Sequence, residues 1–354
     1  MSAKAPRRAA RSLALLSIAL LVSIALAEAV LRALRPGVLK PRPPAGGAEA
    51  ADALPVAADP DWALDDPELG WKNRPGTGHP DEPGRAPMHF WPDGERASAP
   101  APDKPAGRRV LLIGCSFTEG FGVRDDETFA WRLNALHPDV RFENRGVPGY
   151  GTYQSLLLLE RLLRESRGHP PDLVVYSFIG DHTKRNVAAY KWIRNLRDSR
   201  GLYSVPPHVT LEGDGLSSHP AGRIDRWPLE RHSYLVTLLH DAWLRYRLAD
   251  RDEQKTVATN RLIERMAREV EEAGSRLLVA QLDDLPPETL ALLAERRIAT
   301  VDCVEPRFKS DPSYRVGGVG HPSGLRHALW AECLERELEA EGFLPGARAA
   351  RPRP

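Results

Sequence analysis

From residue 109 onward the chain offers five strand candidates, Val110 to Ile113, Val140 to Asn144, Leu173 to Phe178, Arg276 to Gln281 and Ile298 to Cys303, most of them continuous apolar runs. Runs of this kind suit strands covered on both faces, as in a parallel sheet, better than strands with one wet face. Helix candidates separate them: Glu127 to Leu136, Tyr153 to Ser166, Thr256 to Ala273 and Pro287 to Arg296, with Ser323 to Glu341 last. In the third, Leu262, Met266 and Val270 recur every four residues between charged positions, the pattern of a helix with one buried face. The repeating strand-helix order predicts a doubly wound, flavodoxin-like three-layer α/β/α fold with about five parallel strands. The stretch Tyr190 to Asp252 interrupts the repeat as an insertion, with a helix expected over Tyr234 to Leu248.

Open parallel sheets bind ligands beyond the carboxyl ends of their strands. Ser116 follows the first strand candidate, Gly149 the second, and Asp181 and His182 the third, so these loops are expected to meet at one edge. His321 can reach the same edge from the loop after the last strand. It opens the final amphipathic segment.

Residues 12–34 form an apolar stretch broken by Glu28 and Arg32, and at roughly 1.5 Å per residue a helix there spans about 34 Å, enough for a bilayer core. Lys4, Arg7, Arg8 and Arg11 precede it, so the positive-inside rule keeps residues 1–11 in the cytoplasm and sends the remainder to the periplasm or cell exterior. Glu28 and Arg32, four apart, can pair on one face. A competing expectation is signal cleavage after Ala25-Leu26-Ala27, with the domain secreted. Residues 35–60 are Pro- and Ala-rich and read as a linker, 61–108 as a lead-in, 109–345 as the folded domain and 346–354 as a disordered tail.

Formal net charge is +1, from 49 basic and 48 acidic side chains spread through the chain, so nothing suggests a nucleic-acid footprint such as a basic face. Cys115, Cys303 and Cys333 are an odd set with no metal-ligand spacing; at least one is unpaired, and a structural thiol is the default for each. No cofactor or metal is called for.

A serine becomes a nucleophile when a neutral imidazole within hydrogen-bond reach takes its proton, and the oxyanion that follows needs fixed donors, commonly backbone N–H groups beside glycine. Ser116, His321 and Gly149 supply those three parts. The Gly-x-Ser-x-Gly elbow of α/β-hydrolases is absent. Gly114-Cys-Ser-Phe-Thr118, Asn144-Arg-Gly-Val-Pro-Gly149-Tyr-Gly-Thr-Tyr-Gln154 and His321-Pro-Ser-Gly324 together resemble the spaced blocks of SGNH/GDSL hydrolases, over about Arg109 to Glu341. Asp66-Pro-Glu-Leu-Gly-Trp71 and the apolar N-terminal segment look like those of membrane-anchored bacterial members. The resemblance implies an SGNH-type serine esterase acting through an acyl-enzyme on Ser116. In that reading His321 is the general base, and the N–H groups of Ser116 and Gly149 are oxyanion donors. It points to an acyl-ester substrate, an O-acyl group on envelope carbohydrate or lipid. An O-acyltransferase of the same fold and a catalytically silent envelope-binding relative are the alternatives.

Three positions depart from the family pattern. Cys115 takes the place of an aspartate in the first block, Gly180 that of an asparagine in the third, and Gly318 that of the aspartate three residues before the histidine. His182 or Asn186 is a candidate substitute oxyanion donor, and Asp181 or Asp311 a candidate orienting carboxylate. The competing expectation makes Asp181 a helix cap and His182 a surface loop residue. Glu119, beside the serine, is expected in solvent. His169, His208, His219, His232 and His240 are expected in solvated or packing roles, and Trp131, Trp192, Trp243 and Trp330 in core or interface.

Overall fold

The computed structural model describes residues 4–34, 63–78, 86–102, 107–166, 168–196, 203–230, 232–317 and 320–344. The expected linker and tail lie outside these residues. A single five-stranded sheet organises the domain: β1 (Arg108–Gly114), β2 (Val140–Gly146), β3 (Leu173–Phe178), β4 (Arg276–Gln281) and β5 (Ala299–Asp302) run parallel in the order β5-β4-β3-β1-β2. The flavodoxin-like order and the strand count are those read from the sequence. Strand order reverses between β1 and β3, so the switch point, where open α/β sheets place their ligands, lies beyond the carboxyl end of β1.

The helices are α1 (Lys4–Leu34), α2 (Ser116–Glu119), α3 (Phe129–Leu136), α4 (Thr152–Glu165), α5 (His182–Asn186), α6 (Tyr190–Asn195), α7 (Tyr234–Arg247), α8 (Ala249–Glu272), α9 (Pro287–Glu295) and α10 (Gly324–Ala340). Because successive strand side chains point to opposite faces, the apolar runs feed two cores at once. Val110, Leu112, Val175 and Ala280 pack with Phe129 and Leu133 of α3 and Trp330 and Leu334 of α10. Leu111, Ile113, Val174, Tyr176 and Val279 pack with Leu156 of α4, Leu262 and Met266 of α8 and Leu293 of α9. Losing one such leucine to alanine costs about 2–5 kcal/mol.

The insertion contains α6, two nested hairpins (Tyr203–Val205 with Gly222–Ile224, His208–Glu212 with Gly215–His219) and α7. Its expected end at Asp252 is corrected, because α8 starts at Ala249. Ala249-Asp-Arg-Asp-Glu-Gln-Lys255 carries too few apolar residues to show a helical stripe, so periodicity placed the start at Thr256.

The lead-in is part of the core. Ala63–Asp66 pairs with Gly70–Asn73, and Gly76–Gly78 with Met88–Phe90. Arg161 of α4 holds Asp66 through two bonds of 2.8 and 2.7 Å. Arg96 is fully buried and donates its N–H to the Asn144 carbonyl at 3.0 Å, along the outer edge of β2. The domain therefore begins well before Arg109.

Cys303 and Cys333 form a disulfide that joins the end of β5 to α10, and Cys115 is a buried free thiol. The pair corrects the default of three structural thiols. Sequence spacing could not reveal it, since it depends on how α10 folds back over the sheet.

Candidate active site

Strand β1 ends at Gly114, and the chain turns at once into α2, whose first residue is Ser116. A β-carbon at Gly114 would lie 2.2 Å from Thr118 Oγ1 and 2.9 Å from the Ser177 carbonyl, so only glycine permits this turn between β1 and β3. As the opening residue of a helix, Ser116 has an N–H with no intrahelical acceptor.

The candidate base comes from the far end of the chain. His321 Nε2 lies 3.1 Å from Ser116 Oγ, across a separation of 205 residues. The N–H of Val316 donates to the His321 carbonyl at 2.7 Å, and Ser323 N–H to Tyr314 at 2.9 Å, so the turn before α10 is braced by the segment that precedes it. Phe121 and Phe117 pack against the imidazole, with centroids at 4.9 and 5.9 Å. Ser116 is only 2% exposed, with the half-buried His321 beside it. Two residues that the sequence placed at one edge are thus within hydrogen-bond distance.

Gly149 stands on the loop after β2. The Val147 N–H donates to the Gly114 carbonyl at 3.1 Å, tying this loop to the turn that carries Ser116. Gly149 holds φ +81°, and a β-carbon there would meet Trp71 at 3.1 Å and Trp192 at 3.4 Å. Trp71 Nε1 donates to the Pro148 carbonyl at 2.9 Å, and the Tyr150 hydroxyl to the Trp71 carbonyl, so the lead-in clamps the loop from outside.

The substitutes proposed for the missing groups are not brought to the pair. Asp181 opens α5, but its carboxylate ion-pairs with Lys184 at 2.8 Å and Arg185 at 3.7 Å and makes no bond to His321. Burial would raise its pKa, yet Arg185 and Lys184 together hold it below the usual value. Asp311 spends its carboxylate on the N–H and hydroxyl of Ser313. His182 is corrected from surface residue to core residue: it is fully buried against Tyr176 and Phe178, with Nδ1 2.7 Å from the Tyr176 hydroxyl. Burial holds its pKa well below normal, so the ring is neutral, and it makes no hydrogen bond to Ser116 or His321. Asn186 is committed to Thr152, Thr259 and the N–H of Tyr153. Gly180, in the asparagine place, packs so that a β-carbon would sit 3.0 Å from the Asp284 carbonyl. Gly318 lies outside the described residues.

Glu119 is a further correction. It is fully buried, neither carboxylate oxygen has a hydrogen-bond partner among the described residues, and desolvation pushes its pKa up to about 8 against the pull of Arg96. Two positioning residues escaped the sequence reading. Asn144 donates to the Thr118 carbonyl at 2.9 Å and accepts from the Gly146 N–H at 3.1 Å; Arg96 donates to the carbonyls of Glu119 at 3.3 Å and Val123 at 2.9 Å. Both grip the carboxyl end of α2. For Asn144 the signal was its place at the end of a strand candidate; for Arg96 there was none.

No family model matches the sequence, and no curated protein matches it. Among solved structures, a psychrotrophic esterase from Pseudoalteromonas sp. is 10% identical with a TM-score of 0.38, over 66% of this chain and 99% of that one. A member of the lipolytic protein G-D-S-L family from Veillonella parvula is 13% identical at a TM-score of 0.35, over 67% of this chain and 100% of the other. A GDSL-like lipase from Bacteroides thetaiotaomicron is 15% identical at a TM-score of 0.33, over 67% and 92%. Likeness at this level identifies neither activity nor substrate.

Proposed function

We propose that this chain is a serine ester hydrolase of SGNH type. The observation that carries the reading is the 3.1 Å approach of His321 Nε2 to Ser116 Oγ at the switch point of a parallel sheet. The imidazole takes the serine proton as Oγ attacks the acyl carbonyl, and the N–H groups of Ser116 and Gly149 meet the oxyanion; collapse breaks the ester C–O bond as the imidazolium gives its proton to the departing alcohol, and water activated on the freed imidazole then hydrolyses the acyl-enzyme, releasing the acid and returning the proton to Ser116 Oγ. The substrate is an O-acyl ester, on envelope carbohydrate or lipid. Support for a site outside the cytoplasm comes from α1: residues 12–34 are long and apolar enough to cross a membrane, and basic residues precede them, as the positive-inside rule asks of a cytoplasmic flank. The Cys303–Cys333 disulfide supports that side, where thiols oxidise.

Gly180 favours a second reading, a catalytically silent relative, because glycine stands where the family pattern has an asparagine and a β-carbon there would lie 3.0 Å from the Asp284 carbonyl. One experiment separates the two. The detergent-solubilised full chain is treated with a serine-reactive fluorophosphonate and assayed on an aryl acetate, beside Ser116→Ala and His321→Ala. Labelling and turnover confined to the parent chain support the hydrolase; equal, negligible signals in all three proteins sink it.

A further inference from the structure

The insertion helix α7 is fastened to the outer end of α1. Glu28 accepts from the Ser233 hydroxyl at 2.8 Å and from the N–H groups of Tyr234 at 2.9 Å and Leu235 at 3.0 Å, so a carboxylate on α1 caps the amino end of α7. Arg32 pairs with Glu28 at 2.8 Å, donates to the His232 carbonyl at 2.6 Å and lies over the Tyr234 ring. If 12–34 spans the bilayer, this joint sits near its outer boundary, because Glu28 and Arg32 lie six and two residues from the end of the span.

The surface beside that joint is apolar. Leu239, Trp243 and Tyr246 fall at i, i+4 and i+7 on α7 and are 51, 38 and 81% exposed. Leu229, in the turn before α7, is 69% exposed and holds φ +67°, a backbone conformation that costs a non-glycine residue energy, here used to present a leucine to the outside. Arg245 and Arg247 flank the stripe, with the Arg247 guanidinium 5.7 Å from the Trp243 ring centre. Exposed leucines with Trp, Tyr and arginine at one level are the composition of a helix lying in a headgroup layer.

We infer that the α7 face of Leu239, Trp243 and Tyr246, with Leu229, is a lipid-docking surface that seats the insertion in the outer interface of the membrane spanned by α1. The inference rests on the anchor reading. The occupant is the bilayer because α7 is joined through Glu28 and Arg32 to the helix that is long and apolar enough to cross it. Docking holds the catalytic domain down on the membrane, where an acyl lipid or a lipid-linked glycan would be met.

The test uses the full chain in vesicles of phosphatidylcholine and phosphatidylglycerol, spin-labelled at single cysteines: Leu20→Cys in α1, Leu229→Cys, Leu239→Cys and Tyr246→Cys at the face, and Glu295→Cys on α9 as an aqueous reference. The unsubstituted chain, whose free Cys115 is buried, gives the background. Collision with oxygen relative to a water-soluble nickel chelate should be several-fold higher at 20, 229, 239 and 246 than at 295. A lipid value at 20 with aqueous values at 229, 239 and 246 overturns the docking surface and leaves the anchor. An aqueous value at 20 overturns the anchor and the docking with it. Dipolar broadening between labels at 239 or 246 overturns it in favour of a second copy of the chain. Ester hydrolysis by the same samples reports separately on the proposed activity.

Discussion

Gly146 lies against the backbone of Glu119 so closely that a β-carbon on it would fall 2.3 Å from the Glu119 N–H nitrogen and 2.9 Å from the Cys115 carbonyl. Loop and nucleophile turn are therefore packed backbone to backbone. Gly146→Ala must separate them, moving Gly149 relative to Ser116. Expected are a loss of stability of about 1–3 kcal/mol, as for other overpacked sites, and a drop of at least tenfold in kcat. Thermal unfolding and aryl acetate turnover check this beside Gly222→Ala, whose β-carbon meets nothing within 4 Å and which should behave as the parent chain.

If Ser116 and His321 act as one unit, their deletions should not add. Ser116→Ala and His321→Ala should each remove nearly all turnover, and the double variant should be no worse than Ser116→Ala alone. Steady-state rates of the three variants decide; a double variant far below both singles would mean independent roles.

Glu119 sets a pH limit on the fold. Its folded pKa, about 8, lies above the ordinary 4.5, so between these values the folded state holds a proton that the unfolded chain has released. The stability it contributes is complete below about 4.5 and is lost as pH rises through about 8. Glu119→Gln keeps the shape without the ionisation. Its melting temperature should hold up between pH 5 and 8 while that of the parent chain falls; parallel falls in both would remove Glu119 as the cause.

Asn144 grips the turn through the Thr118 carbonyl and the Gly146 N–H. Asn144→Ala leaves buried backbone groups without partners and should cost about 1–3 kcal/mol. Fluorophosphonate labelling of Ser116 should slow more than global unfolding alone accounts for, read as labelling rate well below the melting transition.

The sheet was legible because strands covered on both faces need side chains that are apolar at every position, and Leu173–Phe178 is buried throughout. The pairing of Ser116 with His321 was legible from the spaced blocks and the switch-point rule. Asp181 was misjudged because Lys184 and Arg185, three and four residues on, capture its carboxylate, a spacing that was in the sequence and pointed to a local pair. Glu119 and His182 were misjudged for a different reason. Polar residues in loops are usually wet, and their burial here depends on Arg96 and Tyr176 arriving from other segments.

The disulfide encloses the segment that carries His321, which lies between Cys303 and Cys333. Closing a loop of that length limits the unfolded chain by about 3–4 kcal/mol in the entropic account. Reduction, or Cys303→Ser with Cys333→Ser, should lower stability by about 2–4 kcal/mol and depress turnover, measured by unfolding and by assay with and without reductant. Synthesis order gives this bond a further meaning. Ser116 emerges from the ribosome long before His321, and the bond that fixes the histidine segment to the sheet forms only where thiols are oxidised. In a reducing compartment the chain would keep the Ser116 turn, which follows from the sheet, and would lack the bond that ties the segment around His321 to it.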